Sequence, residues 1–287
     1  MTDLRAEAIA WLHEHRSQAS LHGESSGETW AVEAGTHRVL ASAQKICVLA
    51  AVAEHVETHI DFLTAPIPFI DVQSHFLAGT DAGAHERALL ADGIYASGPS
   101  SGTLSVSRLL VYALHHSSNA AVDALADAVV SRTPDAEIAT ELPPRMSTQF
   151  IDAFRGVDGK WRHLNQPVTP AGAAAGWNTH TAPVTTLTSA AQFVARHKDH
   201  ERLFKYLPRI PVYGATEVIG KLGELPGHRA GALVRRDADG DLIVGSYAFS
   251  NLPLRPQELA LADAVEYVLR AAAMRTITVP FATYLPK

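Results

Sequence analysis

Hydrophobic positions along the chain switch between helical and alternating spacing, and each switch marks an element. Leu4, Ala8, Trp11 and Leu12 recur at helical intervals, so residues 3–15 read as an amphipathic first helix. Residues 19–40 break into two short segments around Gly23, Ser25, Ser26 and Gly27, the pattern of an antiparallel hairpin. From Ser42 to about Val56 the chain is apolar nearly all round, as in a helix buried within a core. Residues 66–102, rich in Gly, Pro, Asp and Ser, read as loops and short helices. Helical spacing returns at Val106, Leu109, Leu110 and Ala113, breaks at His115–Ser118, and resumes through Ala121, Leu125 and Val129. A loop-like stretch over 155–180 leads to a further helix over about 184–196.

The last third alternates instead. Val218–Gly223, Gly231–Arg236 and Leu242–Ser250 read as strands, the latter two joined by the turn Asp237-Ala238-Asp239-Gly240. A final helix over Gln257–Ala273 puts Leu259, Leu261, Ala264, Val265 and Val268 on its apolar positions. Strands at both ends and helices between them predict an α+β chain: an antiparallel sheet lobe built from both termini (1–41 with 201–287), into which an all-helical lobe (42–200) is inserted. No Pro/Gly/Ser-rich linker or charge run divides the sequence, so 1–287 reads as one domain.

Composition narrows the partners. With 287 residues, 47% of them apolar and 19% charged, the chain can bury a full core, which excludes disordered and collagen-like classes. The formal net charge is −6 and the 24 Lys and Arg are scattered, so no basic stripe exists to follow nucleic acid or an anionic membrane. The longest apolar run, Ile46–Ala53, is far below the ~20 residues that cross a bilayer. Asp3, Glu7 and Glu14 interrupt any apolar stretch of a secretory signal, and the single Cys47 cannot close an intramolecular disulfide; both features predict a cytoplasmic protein. The 15 histidines include local pairs, but none has the His-Glu-x-x-His spacing of a zinc helix, and no glycine-rich phosphate loop follows a strand. Neither a metal nor a cofactor is expected, and the sequence carries no signal of oligomeric state.

Three short motifs carry the chemistry. Ser42-Ala43-Gln44-Lys45 is a Ser-x-x-Lys whose i, i+3 spacing puts hydroxyl and amine on one helix face. A serine hydroxyl is a poor nucleophile until a base takes its proton, and a neighbouring lysine can do so. Ser42 at a helix N-terminus also offers backbone N–H groups to a developing oxyanion. Such a four-residue pattern arises by chance about once in a few hundred residues, so it carries weight only in company. Ser117-Ser118-Asn119 supplies the first company, at the predicted break between two helices; read alone, it is a helix N-cap. Lys221-Leu222-Gly223 supplies the second, on a strand that precedes a hairpin; read alone, Lys221 solubilises an edge.

In this order, each on the expected element, the three resemble the Ser-x-x-Lys, Ser-Asp-Asn and Lys-Thr-Gly marks of the serine β-lactamase and penicillin-binding protein superfamily, the class A β-lactamases above all. The stretch LLVYALHHSSNAAVDAL has that family's helix-motif-helix form. The resemblance implies a β-lactamase/transpeptidase-like fold and an acyl-enzyme on Ser42, with Lys45 taking its proton and Ser117 relaying a proton to the leaving group. It implies further that Asn119 holds a substrate amide, that Lys221 supplies positive charge, and that the backbone N–H groups of Ser42 and Glu224, beside Gly223, form an oxyanion hole. Arg229, on the next strand, would bind a substrate carboxylate; read alone, it is a surface salt bridge.

The chain departs from the pattern at three points. Ser118 stands for the middle Asp and Leu222 for a hydroxyl residue, which removes one hydrogen bond to a substrate carboxylate. From Ala153 to Thr185 the only acid is Asp158, and Trp161-Arg162-His163-Leu164-Asn165 falls where the resemblance expects the glutamate that activates the deacylating water. His163 is the candidate replacement base. The expected function is therefore a serine hydrolase opening an amide or ester (β-lactam-like) bond of a small molecule, with slow deacylation on lactams. Two alternatives are a cell-wall D,D-peptidase and a non-catalytic homologue that keeps the pocket to bind a ligand.

Overall fold

The computed structural model describes residues 2–76, 81–94, 102–131, 181–197, 200–225, 227–250, 259–278 and 283–285. The chain divides into two compact units, Met1–Ile46 with His180–His200 and Leu207–Lys287, and Cys47–Thr179 with Glu201–Tyr206.

The first unit holds a six-stranded antiparallel sheet of β1 (Ala19–Ser25), β2 (Glu28–Val32), β7 (Ile219–Leu225), β8 (His228–Arg236), β9 (Leu242–Phe249) and β10 (Thr283–Leu285). The strand order is β10-β2-β1-β9-β8-β7. The β1–β9 pairing, with Leu21 opposite Tyr247 and Gly23 opposite Gly245, joins the two ends of the sequence in one sheet. A smaller pair, β3 (His37–Val39) with β6 (Thr181–Pro183), brings the chain toward Ser42.

Strand β9 is buried almost throughout because both of its faces are covered. Ile243, Tyr247 and Phe249 join one apolar cluster with Leu12 of α1 (Thr2–Glu14), Leu21, Trp30, and Val265 and Leu269 of α9 (Leu259–Ala273). Gly245 permits that packing, since a Cβ there would lie 2.2 Å from the Ala273 carbonyl oxygen. On the opposite face Ser246 Oγ donates to Val184 O at 2.7 Å, fastening the first turn of α7 (Val184–Arg196) to the sheet.

The second unit contains α2 (Lys45–Thr58) beyond its first two residues, α3 (Phe69–Ser74), α4 (Ala84–Ala91), α5 (Val106–Leu114), α6 (Asn119–Ser131), α8 (His200–Phe204) and the short pair β4 (Pro66–Pro68) with β5 (Thr103–Ser105). Helix α6 packs on α3, α4 and α5. It buries Ala121, Leu125 and Val129, the residues whose spacing predicts it. No helix among the described residues is long and apolar enough to cross a membrane.

Four elements differ from the sequence expectation. Helix α7 packs on the sheet instead of within the helical part, and residues 201–206 group with the helical part instead of the sheet. The helix expected from Ser42 starts as a 3₁₀ turn, Ala41–Gln44, and becomes α-helical only at Lys45. Strand β10 has no sequence signal beyond its three residues; pairing with β2, Tyr284 opposite Trp30, makes it a strand. The loop read over 155–180 lies outside the described residues.

Candidate active site

The Ser42 turn is held by backbone strain and by a glycine. Ala41 has φ 47°, a left-handed value unusual for a residue with a side chain. The strand before the turn is thereby redirected into the 3₁₀ helix, which is closed by a hydrogen bond from the Ala43 N–H to Leu40 O at 3.1 Å. A 3₁₀ helix has 3.0 residues per turn, so side chains at i and i+3 eclipse. Ser42 and Lys45 therefore emerge on one line, a stricter alignment than an α-helix would give. Lys45 is 1% exposed, and its backbone N–H donates to the carbonyls of Ser42 and Ala43.

The turn rests directly on β7. A Cβ added at Gly223 would lie 2.4 Å from Ala43 N, 2.6 Å from Leu40 O and 2.7 Å from Ser42 N. Only glycine lets the two backbones come this close. The contact brings the N–H of Ser42 against the strand that continues into Glu224. Two residues earlier, Lys221 is buried, and the loss of hydration lowers its pKa to about 8. The first unit thus gathers Ser42, Lys45, Lys221, Gly223 and Glu224 from the predicted site. Gln44, beside the nucleophile, is also buried, and its Nε2 finds no hydrogen-bond partner among the described residues.

Arg229 forms the salt bridge that its charge, read alone, implies. It lies opposite Glu224 across β7 and β8. Its Nη2 is 2.6 Å from Glu224 Oε1 and its Nε 3.5 Å from Glu266 Oε2. Glu266 in turn accepts from the Tyr247 hydroxyl and from Arg270 Nη2, both at 2.7 Å.

The second unit carries Ser117-Ser118-Asn119. Helix α5 ends at Leu114 and α6 begins at Asn119, with Ser117 at φ 68° between them. Helix capping does not account for Ser117, because the cap is its neighbour: Ser118 Oγ accepts from the Ala121 N–H at 3.1 Å. Ser118 is buried and also shares a hydrogen bond with His85 Nδ1 at 2.9 Å, while His85 Nε2 lies 3.0 Å from Gln73 Nε2. Burial lowers the pKa of His85, against the opposing charges of Asp81 and Glu86. Asp81 links two helix starts, accepting from the backbone N–H groups of Ala84 at 3.0 Å, His85 at 3.2 Å and Asn119 at 3.3 Å. Asn119 is 3% exposed. Next to Ser117, His116 has its pKa lowered by burial and by the charges of His115, Arg108 and Arg87.

Asp81, His85 and Gln73 support the second motif and were missed from sequence, because they lie in the segment read as loops. Their sequence signal was Asp81 just ahead of the short helical run that starts at Ala84, where a carboxylate can accept from the free backbone N–H groups of a first turn. His163 lies outside the described residues, and among the described residues no group of three His, Cys, Asp or Glu could hold a metal.

No protein-family model and no curated protein matches the chain. Solved structures do. A class A β-lactamase from Mycobacterium abscessus is 16% identical, with 93% of this chain and 98% of that one covered at a TM-score of 0.58. PBP-A is 14% identical, with 94% and 96% covered at 0.58. A β-lactamase from Francisella tularensis is 14% identical, with 96% and 100% covered at 0.59. The likeness runs the length of both chains while almost all side chains differ: this chain has the fold of the serine β-lactamases and penicillin-binding proteins.

Proposed function

We propose that the chain is a serine hydrolase that opens an amide or ester bond of a small molecule through an acyl-enzyme on Ser42. The observation that carries this reading is the strained Ala41–Gln44 turn, laid against Gly223 with Lys45 buried one 3₁₀ turn beyond the serine. An ordinary helix start needs neither the left-handed alanine nor the backbone contact, and strain of this kind concentrates where chemistry is positioned. A mutant of PBP-A, one of the fold neighbours, is known as an acyl-enzyme complex with penicillin G, and another neighbour, L2, as a complex with relebactam. Both support a small-molecule substrate.

In this reading Ser42 Oγ attacks the carbonyl carbon while its proton passes to Lys45 Nζ. The oxyanion forms between the N–H groups of Ser42 and Glu224. Collapse breaks the bond to the leaving nitrogen or oxygen, which takes a proton by way of Ser117. Asn119 holds a substrate amide, and Lys221 supplies positive charge. Water then attacks the acyl carbonyl with Lys45 again as base, and no cofactor takes part. With no glutamate in the stretch from Ala153 to Thr185, lactam acyl-enzymes leave slowly.

Intact-protein mass spectrometry tests the reading with a fluorophosphonate and with penicillin G. One adduct on the wild-type chain, lost in Ser42→Ala and in Lys45→Met with circular dichroism unchanged, is the expected result. An adduct retained in Ser42→Ala puts the nucleophile elsewhere. A His163→Ala variant that labels at the wild-type rate but releases the adduct more slowly would give the second base to His163.

A further inference from the structure

Helix α1 packs on α9, and beside that contact lies an open cavity of about 540 Å³ that includes none of the motif residues. It is lined by Ala260, Ala264, Val268 and Ala271 of α9, with Leu4 of α1 and Ile277. Residues three and four apart share a helix face, so the three alanines fall on one stripe whose short side chains leave the groove. Its mouth is apolar as well. Of the six large apolar side chains exposed among the described residues, three belong here: Tyr213 at 50%, Tyr267 at 40% and, one turn before Asp263, Leu259 at 46%. Single exposed apolar side chains are ordinary, whereas a cluster of them beside a groove marks a contact surface.

The charges of the groove form the ends of a row. Arg5 lies over the ring of Tyr213, 5.0 Å from its centroid. Tyr213 meets Tyr267 edge to face with centroids 6.4 Å apart, and Asp263 precedes Tyr267 by one turn of α9. The order is cation, ring, ring, anion. Arg5 and Asp263 are both exposed, and neither has an ion-pair partner among the described residues. A row with opposite charges at its ends is its own complement: turned about a two-fold axis through its middle, Arg5 faces a second copy's Asp263, and Asp263 faces that copy's Arg5. A small anion or cation would engage one end and leave the other charge unpaired. The whole chain carries a net charge of −6, so copies repel on average. On this patch, with one charge of each sign, two attractive pairs take the place of that repulsion.

We propose that this face is a self-association surface, through which two copies of the chain form a weak, reversible two-fold dimer. The tyrosine rings and the α9 stripe are covered in the dimer, while Arg5 and Asp263 set its register at the rim. The inference stands apart from the acylation of Ser42, because none of these residues belongs to the three motifs. Rim charges are screened by salt, so the association weakens as ionic strength rises.

Sedimentation velocity on the full chain, from about 1 to about 300 µM at low and at high salt, reads the dissociation constant. Wild-type protein should pass from monomer to dimer within that range, and less readily at high salt. Arg5→Glu and Asp263→Arg each put two like-charge pairs across the axis and should raise the constant about tenfold or more. An equimolar mixture of the two variants should return toward wild-type strength, since each reversed charge then meets its opposite; damage to the fold could not be rescued in this way. Tyr267→Ser should weaken association with both charges in place. A wild-type chain that stays monomeric throughout, a constant unmoved by either reversal, or a mixture no stronger than its components overturns the proposal. So does a monomer that binds anilinonaphthalene sulfonate and loses that binding in Tyr267→Ser, which gives the groove to a small amphipathic molecule instead.

Discussion

Replacing Lys221 by methionine should make the protein more stable and the site less active. Lys221 is 6% exposed, and its pKa falls from 10.5 to about 8 through loss of hydration. At about 1.4 kcal/mol per tenfold change in proton affinity, that drop corresponds to about 3 kcal/mol of unfavourable free energy for carrying the charge in the folded state. The unfolded chain holds this proton more tightly than the folded one. The penalty is therefore complete below pH 8, and it is relieved as pH rises from 8 toward 10.5, where the folded lysine is already neutral. Methionine fills a similar volume without charge, so Lys221→Met should gain up to about 3 kcal/mol at pH 7, less whatever the ammonium contributes through its polar contacts. Between pH 8 and pH 9.5 the advantage should shrink by about 2 kcal/mol. Urea unfolding of both proteins at pH 7, 8 and 9.5 measures this, and groups shared by the two proteins cancel in the difference. A variant no more stable than wild type at pH 7, with a difference flat across that range, would refute the reasoning and mean that Lys221 is solvated or fully compensated in place.

Three further outcomes follow from the same geometry. Gly223→Ala places a Cβ 2.4 Å from the Ala43 nitrogen, so the turn must move off β7; a loss of about 2 kcal/mol or more in urea melts and of Ser42 labelling is expected, and full labelling would show that the turn does not need the strand. His85→Leu removes a partner from buried Ser118 and should cost about 1–3 kcal/mol. Because the folded pKa of His85 lies below the ordinary 6.5, the wild type loses stability as pH falls through 6.5, and its advantage over the variant should shrink there; a difference that grows on acidification would contradict the burial argument. With nitrocefin, stopped-flow should give a burst of one equivalent and then slow release, since base assistance in the second step is typically worth ~10²- to 10⁴-fold. Fast linear turnover would reveal an efficient base for water.

Elements whose burial follows their own periodicity were legible in sequence. Helices α5, α6 and α7 and strands β7, β8 and β9 lie within a few residues of where apolar spacing predicts them, because each has at least one side covered by a continuous partner. Strand β10 was not legible, since three residues carry no periodicity and its state is decided by an edge of β2 that lies far away in sequence. The site divides in the same way. Ser42, Lys45 and Lys221 were legible as reactive types at fixed offsets. The conformations that position them, at Ala41 and Ser117, were not, because an alanine and a serine with positive φ look like any others until the surrounding contacts force them there. Arg229 was half legible: its charge was plain, but its engagement by Glu224 depends on the β7–β8 register, which spacing alone leaves open.

These features share an energetic logic. Left-handed φ at Ala41 and Ser117, a buried ammonium at Lys221 and a buried amide nitrogen on Gln44 with no partner among the described residues are each unfavourable by about 1–3 kcal/mol by ordinary measures. In a protein whose folded state is stable by only ~5–15 kcal/mol, several such features persist only where the rest of the structure compensates for them. The compensation is visible close by: the Gly223 backbone supports the Ser42 turn, and Asp81 and His85 hold the start of α6 beside Ser117. A chain that kept this fold for stability alone would gain by relaxing each of them, with a glycine at 41, a methionine at 221 and a leucine at 44. Positive φ also occurs at Glu33, Ala82, Glu217 and Arg275, so strain alone does not mark the motifs; what distinguishes them is that a left-handed φ at Ala41 and at Ser117 and a buried ammonium at Lys221 fall on or next to all three, and that combination is the physical argument that the motifs are retained for chemistry.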